Sequence, residues 1–236
     1  MGFAEIPGMD FSGVMEEIGV GTNAGDFTVG SEVIGTLDTV RGAFAEFLCV
    51  KVDGCLIKKA ADVDFVEGAA LPTAGMTALQ ALRTGREVEE GSRVLINGGS
   101  GGVGTYAVQI AKSMFAHVTA VCFTKNVELV RSLGADVVID YKKEDVKAVV
   151  GGGKFDKIID IVGNPMSRWR PMLEPRGDLV CVQLPFPDSE CVPCVLFYAL
   201  CSPWCMCCLF SKKTHLCKNR ARILCRSWWR CWGRRR

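Results

Sequence analysis

The stretch that decides the fold is Val94-Leu95-Ile96-Asn97-Gly98-Gly99-Ser100-Gly101-Gly102-Val103-Gly104. An apolar run, a glycine-rich turn and the first turn of a helix follow one another here. Gly99, Gly101 and Gly104 satisfy G-x-G-x-x-G: the first glycine permits the turn, the second lets backbone approach a pyrophosphate, and the third lets helix and strand pack closely. The helix N-terminus offers unpaired N–H groups to an anion. The pattern predicts dinucleotide binding, and the alternative is a structural turn without a ligand.

The sequence around this stretch supports a parallel sheet. Helical spacing after the turn places one set of apolar residues on a single face: Val103, Ala107, Ile110, Ala111 and Met114. Four more strands are predicted at 117–123, 137–140, 155–162 and 179–183, with helices at 127–133 and 144–150. Strands that alternate with helices form a parallel sheet with right-handed crossovers. We therefore predict a doubly wound sheet from about residue 92 to 184.

The region before this sheet is rich in short strands. Strands are predicted at 11–19 and 42–50, and residues 27–35 are predicted to form a turn that leads into a strand. The short strands and glycine turns suggest a small barrel or sandwich. Helical signals begin near Asp64, and Pro72 suits the first turn of a helix that ends near Gly85.

Composition divides the 236 residues into two unlike parts. Residues 188–236 contain ten Lys and Arg against two acidic residues, a charge of +8. Because the whole chain has a net charge of +2, residues 1–187 carry a charge of −6. Nine of the thirteen cysteines also lie after residue 188. We predict three regions: a partial barrel at 1–63, a dinucleotide-binding domain at 64–187, and a Cys/Arg-rich irregular tail at 188–236 that is disordered or aberrant.

The N-terminal sequence bears on the compartment. Residues 1–5 show neither a basic region nor an apolar run, so no signal peptide is predicted. We expect a location in the cytoplasm or in an organelle stroma or matrix, with the four early cysteines reduced.

The end of the second predicted strand of the parallel sheet bears on the choice of cofactor. NAD-binding domains usually place an acidic residue there for the ribose hydroxyls. This chain has Thr124-Lys125-Asn126 instead, and a lysine suits a 2′-phosphate, so NADPH is favoured over NADH. Tyr141, just after the next strand, is expected to close over the phosphate. The alternative is that Thr124 or Asn126 only caps the next helix and Lys125 is a solvated charge.

From about residue 7 to residue 184 the chain resembles the medium-chain dehydrogenase/reductase superfamily, and in particular its zinc-independent quinone oxidoreductase and enoyl reductase branch, which includes zeta-crystallin. The matching segments occur in the family's order and spacing: residues 7–13, 42–46, 69–78, 98–104, 132–136 and 162–164. The resemblance implies an α/β fold in which a GroES-like barrel precedes a Rossmann domain.

The resemblance also implies an activity, namely NADPH-dependent hydride transfer to a small quinone or conjugated carbonyl (enone or enoyl) compound. Ser100, Gly101, Gly102, Val103 and Gly104 are expected at the pyrophosphate. Thr124, Lys125 and Tyr141 are expected at the 2′-phosphate, and Thr73 and Asn164 toward the nicotinamide. The alternative is a protein that holds NADPH without turnover.

No metal is predicted. Zinc-dependent relatives carry Gly-His-Glu where this chain has Gly8-Met9-Asp10, and they carry a cysteine-rich lobe where residues 35–42 form a short turn. Zinc needs three or four converging N, S or O ligands, and we find no such set in residues 1–187.

Family members continue beyond the matched region at both ends. They have strands before the segment that matches residues 7–13, and after the fifth strand they have a segment that returns to complete the barrel. We recognise neither here, so we expect an incomplete barrel and impaired turnover, and we assign no catalytic residue.

The tail allows several interpretations. An aberrant reading frame is favoured on composition. Residues 191–210 carry no charge and are long enough to cross a bilayer, which is the less favoured alternative. Weaker signals are a zinc site among the cysteines and His215, and contact of residues 226–232 with nucleic acid or anionic lipid. No nucleic-acid partner is expected, and a homodimer is allowed but unsupported.

Overall fold

The computed structural model describes residues 6–37 and 42–182 and the backbone of 220–225. Its strands are β1 (Asp10–Ile18), β2 (Glu32–Thr36), β3 (Phe47–Lys51), β4 (Leu56–Lys58), β5 (Arg93–Asn97), β6 (His117–Cys122), β7 (Val137–Asp140), β8 (Phe155–Asp160), β9 (Leu173–Cys181) and β10 (Arg220–Cys225). Its helices are α1 (Phe65–Ala70), α2 (Pro72–Arg83), α3 (Gly102–Ser113), α4 (Val127–Ser132), α5 (Val146–Val150) and α6 (Met166–Trp169), with 3₁₀ turns at Thr124–Asn126 and Arg170–Met172.

The described residues fall into two compact units that divide after Thr73. The first unit contains a five-stranded antiparallel sheet in the order β3-β10-β1-β2-β4. Inward-facing side chains such as Phe11, Met15, Val33 and Leu48 form its core. This sheet is the part of the predicted barrel that the described residues contain.

Helix α1 packs on the sheet of the first unit. Asp64 begins the helix, and its carboxylate accepts the backbone N–H groups of Val66 at 2.7 Å and Glu67 at 2.8 Å. A Cβ atom at Gly68 would lie 2.8 Å from Ile34 Cγ2 and 3.0 Å from Ser12 Oγ, so only glycine lets the helix approach β1 and β2 this closely. The compact unit thus extends past residue 63, while the domain bounds of 1–63, 64–187 and 188–236 stay a prediction.

Strand β10 comes from the segment that the sequence gives as an irregular tail. It lies between β1 and β3, with Gly13 opposite Cys225 and Lys51 opposite Arg220. Charged and apolar residues alternate from 220 to 223, a strand pattern that the unusual composition of the tail obscures. The predicted membrane, zinc and basic segments of the tail lie outside the described residues.

The second unit contains the predicted parallel sheet, in the order β7-β6-β5-β8-β9. Val94 and Ile96 of β5 face a core shared with α2, α3 and α4. Leu95, between them, faces the opposite core, which includes Val146 of α5 and Trp169 of α6. Because both faces of the sheet are covered, the strands read as continuous apolar runs. The α/β, doubly wound prediction is confirmed.

The observed bounds of three elements can be set against the predicted ones. Residues 27–35 form the predicted turn and strand: Thr28 and Ser31 hydrogen-bond to each other in the turn, and β2 begins at Glu32. Leu71 separates α1 from α2. Strand β9 begins at Leu173 instead of 179, and the irregularity in its pairing with β8 lies between Phe155 and Lys157.

A buried lysine ties α2 to the sheet. Lys157, in the middle of β8, is 1% exposed, and its Nζ donates to the carbonyl oxygens of Leu82 at 2.9 Å and Thr84 at 2.6 Å. These carbonyls end the helix and would otherwise lack partners. Burial lowers the pKa of Lys157, and the charge of Asp178 partly opposes this.

Candidate functional site

The glycine-rich turn between β5 and α3 is anchored to β6. The N–H groups of Gly98 and Gly99 both donate to the carbonyl of Val121, at 3.1 and 2.9 Å. Gly98 has a φ of +93°, in the region that favours glycine. The left-handed residue of the turn is therefore Gly98, one position before the glycine to which the sequence pattern assigns the tight turn.

The other glycines of the turn serve close packing or leave open space. A Cβ atom at Gly99 would lie 2.9 Å from Ala120 Cβ on β6, and one at Gly104 would collide with the carbonyl of Gly98. At Gly101 a Cβ would meet only the carbonyl oxygen of Gly98, at 3.4 Å, and at Gly102 nothing within 4 Å. Gly101 and Gly102 are exposed, so here a ligand can reach the backbone.

The N-terminus of α3 fits an anionic group. Gly101 occupies the N-cap position just before the helix, and no side chain caps the helix. The first N–H groups of a helix have no acceptor within it, and the helix dipole adds positive charge at this end. Gly102, Val103 and Gly104, the first residues of the 12-residue helix, carry such groups. Open backbone and unpaired donors together match the predicted pyrophosphate position.

A side-chain hydrogen bond links this turn to the 3₁₀ turn after β6. Asn126 Nδ2 donates to Ser100 Oγ at 3.0 Å. Because the Ser100 oxygen accepts this bond, its own hydrogen is free to point to an anion at the helix N-terminus. The alternative prediction for Asn126 is a cap on the next helix, but no side chain caps α4.

The residues predicted at the 2′-phosphate lie at the ends of β6 and β7. Lys125 is exposed in the 3₁₀ turn that follows β6. Tyr141, just after β7, is 51% exposed, and its ring centroid lies 6.0 Å from that of Phe123. Lys142 Nζ lies 5.6 Å from the Tyr141 ring, which adds a second cation to this end of the site.

Two titratable groups lie beneath these residues. Burial raises the pKa of Asp140, but a hydrogen bond from Thr124, the N–H of Lys142 and nearby lysine charges outweigh it and hold that pKa below its ordinary value. A Thr124 hydroxyl that donates to Asp140 has no second hydrogen for a phosphate. Burial, with the charge of Asp140, raises the pKa of the Cys122 thiol, so this thiol is not an activated nucleophile.

Asn164 lies in the loop after β8, next to the glycine turn. A Cβ atom at Gly98 would be 3.1 Å from Val162 Cγ2, so the two loops adjoin. The backbone N–H of Asn164 donates to Asp160 Oδ2 at 2.6 Å. The loop follows β8, and the glycine turn follows β5. These two strands are neighbours in the sheet, and the strand order reverses between them. Ligands of open α/β sheets bind in the crevice at such a reversal.

Thr73 lies in the first unit. Its Oγ1 donates to Asp10 Oδ1 at 2.6 Å, its N–H donates to Asp10 Oδ2 at 3.1 Å, and Thr36 Oγ1 lies 3.2 Å from Thr73 Oγ1. The structure therefore brings together, at one edge of the second unit's sheet, all the predicted cofactor residues except this one: Ser100, Gly101, Gly102, Val103, Gly104, Thr124, Lys125, Tyr141 and Asn164.

Two polar residues at strand ends escaped the sequence interpretation. Asn97 ends β5 and Asp160 ends β8; they face each other in the sheet, and both are buried. The sequence did contain a signal for these two residues. A polar residue at the end of an apolar strand lies at the carboxyl ends of the parallel strands, where ligands bind.

A zinc ion does not fit the described residues. Both carboxylate oxygens of Asp10 accept hydrogen bonds from Thr73. Within residues 6–37 and 42–182, His, Cys, Asp and Glu side chains nowhere gather in threes as a metal would require. In the same part of the chain, no helix combines the length and apolar character needed to cross a bilayer.

Comparison with known proteins agrees with this geometry. A family profile described as zinc-binding dehydrogenase matches residues 102–201. The chloroplast envelope quinone oxidoreductase homolog of Arabidopsis thaliana is 38% identical over 199 residues, which cover 79% of this chain and 58% of that protein. A trans-enoyl reductase of Aspergillus terreus is 42% identical over 172 residues, covering 70% of this chain and 48% of the relative.

Among solved structures, a mycobacterial protein complexed with NADPH superposes with a TM-score of 0.64 at 27% identity, covering 79% of this chain and 60% of that one. The chain thus spans about half to three fifths of the length of the proteins that it matches. Sequence, topology and these similarities agree, and the chain belongs to the quinone oxidoreductase and enoyl reductase branch of the medium-chain dehydrogenase/reductase family.

Proposed function

We propose that this chain binds NADPH at the carboxyl edge of its parallel sheet and that the whole protein reduces quinones or conjugated carbonyl compounds. The observation that carries the proposal is the uncapped N-terminus of α3 beside two open glycines, Gly101 and Gly102. Pyrophosphate is the group that such a terminus holds in dinucleotide-binding folds.

The second part of the site supports the choice of NADPH over NADH. Lys125 and Tyr141 lie at the ends of adjacent strands, and Lys142 adds a cation next to the Tyr141 ring. A 2′-phosphate offers charged oxygens to these donors, whereas the ribose hydroxyls of NADH would need an acceptor. The mycobacterial neighbour was solved with NADPH, which supports the same choice.

When bound, the nicotinamide cofactor supplies the hydride; the protein supplies binding, orientation and electrostatics. In this chain the first turn of α3 and the Ser100 hydroxyl hold the pyrophosphate, and Asn126 directs that hydroxyl. The loop at 161–164 borders the crevice on the side of β8. Quinone or enoyl substrates are proposed from the named activities of the Arabidopsis and Aspergillus relatives.

A second candidate function is NADPH binding without turnover. It is favoured by the titratable groups at this edge of the second unit. The Cys122 thiol has a raised pKa and is buried, and the carboxylate of Asp140 has a lowered pKa. Neither suits proton donation near neutral pH. Hydride transfer to a quinone or an enone ends in proton uptake by the product. The proton donor would therefore have to be a group other than Cys122 and Asp140.

Gly101→Ala tests the proposal. The added methyl group has room in the protein, with its one neighbour at 3.4 Å, but it enters the space that we assign to the pyrophosphate. We expect the thermal midpoint to change little while binding of NADPH and NADH falls at least about tenfold, as for loss of one or more charge-assisted hydrogen bonds. Fluorescence titration measures the binding, and unaltered affinity would contradict the site.

Turnover is tested on the full chain by following NADPH oxidation with a quinone and, separately, with an enone. Oxidation above background with either acceptor supports the reductase. Tight binding without oxidation supports the second candidate. A chain that binds neither cofactor contradicts both.

Location and partners follow from the same comparisons. Relatives from spinach and human are named as chloroplastic and mitochondrial proteins. We therefore favour an organelle over the cytoplasm. The proposed partner is a small quinone or enone; membrane contact through 191–210 stays the less favoured alternative, and a homodimer stays allowed but unsupported.

A further inference from the structure

The buried carboxylate of Asp160 lies where the strand order of the parallel sheet reverses. Asp160 ends β8, is 0% exposed, and pairs in the sheet with Asn97, the last residue of β5. The two chain segments that leave these strands are the glycine turn and the loop at 161–164. Asp160 is thus placed between the two loops that border the proposed cofactor crevice.

Five donors surround this carboxylate. Oδ1 accepts from Asn97 Nδ2 at 2.8 Å and from the N–H groups of Val162 at 3.0 Å and Gly163 at 3.2 Å. Oδ2 accepts from the N–H of Asn164 at 2.6 Å and from Trp169 Nε1 at 3.0 Å. An ionised carboxylate offers about four acceptor positions. These five donors therefore occupy both oxygens of the carboxylate.

The donors come from three places that the carboxylate holds together. Asn97 leads into the glycine turn, the three N–H groups belong to the loop, and Trp169, at the end of α6, is 0% exposed. Gly163 has a φ of +87°, so the loop adopts a turn in which successive N–H groups point at one anion. Bonds to a buried charged group are stronger than neutral ones, which fixes the path of the loop.

We infer that Asp160 is a positioning residue for the nicotinamide half of the cofactor. It acts through the loop at 161–164, whose Asn164 it holds directly, and it fixes this loop relative to the glycine turn through Asn97. The inference rests on the proposed function and deepens it, since it separates the site into two halves. Lys125 and Tyr141 bind the 2′-phosphate half, and that half does not depend on Asp160.

The test compares NADPH with 2′,5′-ADP, which contains the adenosine with its 2′- and 5′-phosphates but no nicotinamide. Asp160→Asn replaces one accepting oxygen with an NH₂ group that faces N–H donors, so the loop has to move. Asp156→Asn is the matched control. It lies on the same strand at the amino end, where it accepts from Arg93 N at 2.9 Å and Arg86 Nη1 at 3.3 Å.

For Asp160→Asn we expect the dissociation constant of NADPH to rise about tenfold, as for loss of one charge-assisted bond. The dissociation constant of 2′,5′-ADP should change less, by about twofold at most, since its 2′-phosphate lies at β6 and β7 and it has no nicotinamide half for the loop at 161–164 to hold. Asp156→Asn should change neither. Trp169→Phe removes only one donor from Oδ2 and keeps an aromatic ring; it should weaken NADPH alone, by a smaller factor.

Equal weakening of both ligands would show that Asp160 only stabilises the fold, and unchanged NADPH binding would show that the loop does not position the nicotinamide. Either result overturns the inference. If Asp160→Asn does not fold, the same comparison on Trp169→Phe decides. Wild-type chain that binds neither ligand overturns the proposed function itself, so the two failures are distinct.

Discussion

Replacing Lys125 tests the choice of cofactor directly. Lys125 is exposed in the turn after β6, next in sequence to Asn126, which bonds to the glycine turn. Lys125→Ala removes a cation without disturbing packing. NADPH presents a 2′-phosphate to that cation, and NADH presents a hydroxyl group. The two cofactors should therefore respond differently to the same substitution.

The magnitude follows from the exposure of the side chain. Charge-assisted hydrogen bonds contribute about 1.5–3 kcal/mol, and solvent screening of an exposed ammonium group puts Lys125 at the lower end. About 1.5 kcal/mol corresponds to roughly a tenfold rise in the dissociation constant of NADPH. Tyr141→Phe removes a neutral hydrogen bond and should act in the same direction by a smaller factor. NADH affinity should change less than about twofold in both variants, because the partner phosphate is absent.

Fluorescence titrations with both cofactors, at two salt concentrations, measure the effect. The matched control is Lys154→Ala, which removes the same charge. Lys154 lies just before β8, at the amino ends of the strands and away from the proposed site. The wild-type preference for NADPH should shrink at high salt, since exposed charges are screened. Equal losses for NADH and NADPH in Lys125→Ala would refute the 2′-phosphate assignment and leave the glycine-turn argument standing.

Two further predictions concern stability. Phe115 follows α3 with a φ of +59° and is 73% exposed; Phe115→Gly should raise the free energy of unfolding by about 0.5–1 kcal/mol, because a left-handed residue with a side chain costs about 1–2 kcal/mol and glycine loses more entropy. Urea denaturation measures the gain, and Phe115→Ala, which keeps the strained φ, should not show it. For Asp136, burial raises the pKa, but a hydrogen bond from Lys112, the N–H of Val118 and the charges of Lys112 and His117 outweigh it and lower the pKa. The stabilisation that Asp136 provides should therefore be complete above the unfolded-state pKa of about 3.9 and disappear as the pH falls through the lower folded-state value. Urea midpoints of wild type and Asp136→Asn should converge over that acid range, and a constant gap would contradict this origin.

The parallel sheet could be predicted because its local signals agree. The apolar runs of β5 to β8 each fill two core faces, and the glycine turn follows the first of them, so pattern and packing give the same result. The positions of Lys125 and Tyr141 after β6 and β7 follow from the same alternation. Their contact with a phosphate stays a prediction.

What the sequence could not provide depends on long-range contacts. Asn97 and Asp160 meet because β5 and β8 are neighbours in register, which no local pattern reveals. The left-handed residue of the turn is Gly98 instead of Gly99, because Gly99 packs against Ala120 of β6. Strand β10 was hidden because a short alternating run carries little weight within a segment of such unusual composition.

The pairing of β10 with β1 affects the order in which the two units can be completed during synthesis. Domains commonly fold from the N-terminus as the chain emerges from the ribosome. Here β1 emerges early, but β10, one of its two neighbours in the sheet, is complete only at Cys225. The last described strand of the parallel sheet ends at Cys181, so this sheet can close first. Until Cys225 has emerged, one side of β1 lacks its native partner and presents unpaired backbone groups to other chains. The antiparallel sheet of the first unit, which contains β1, is therefore the part of the nascent chain most exposed to misassembly.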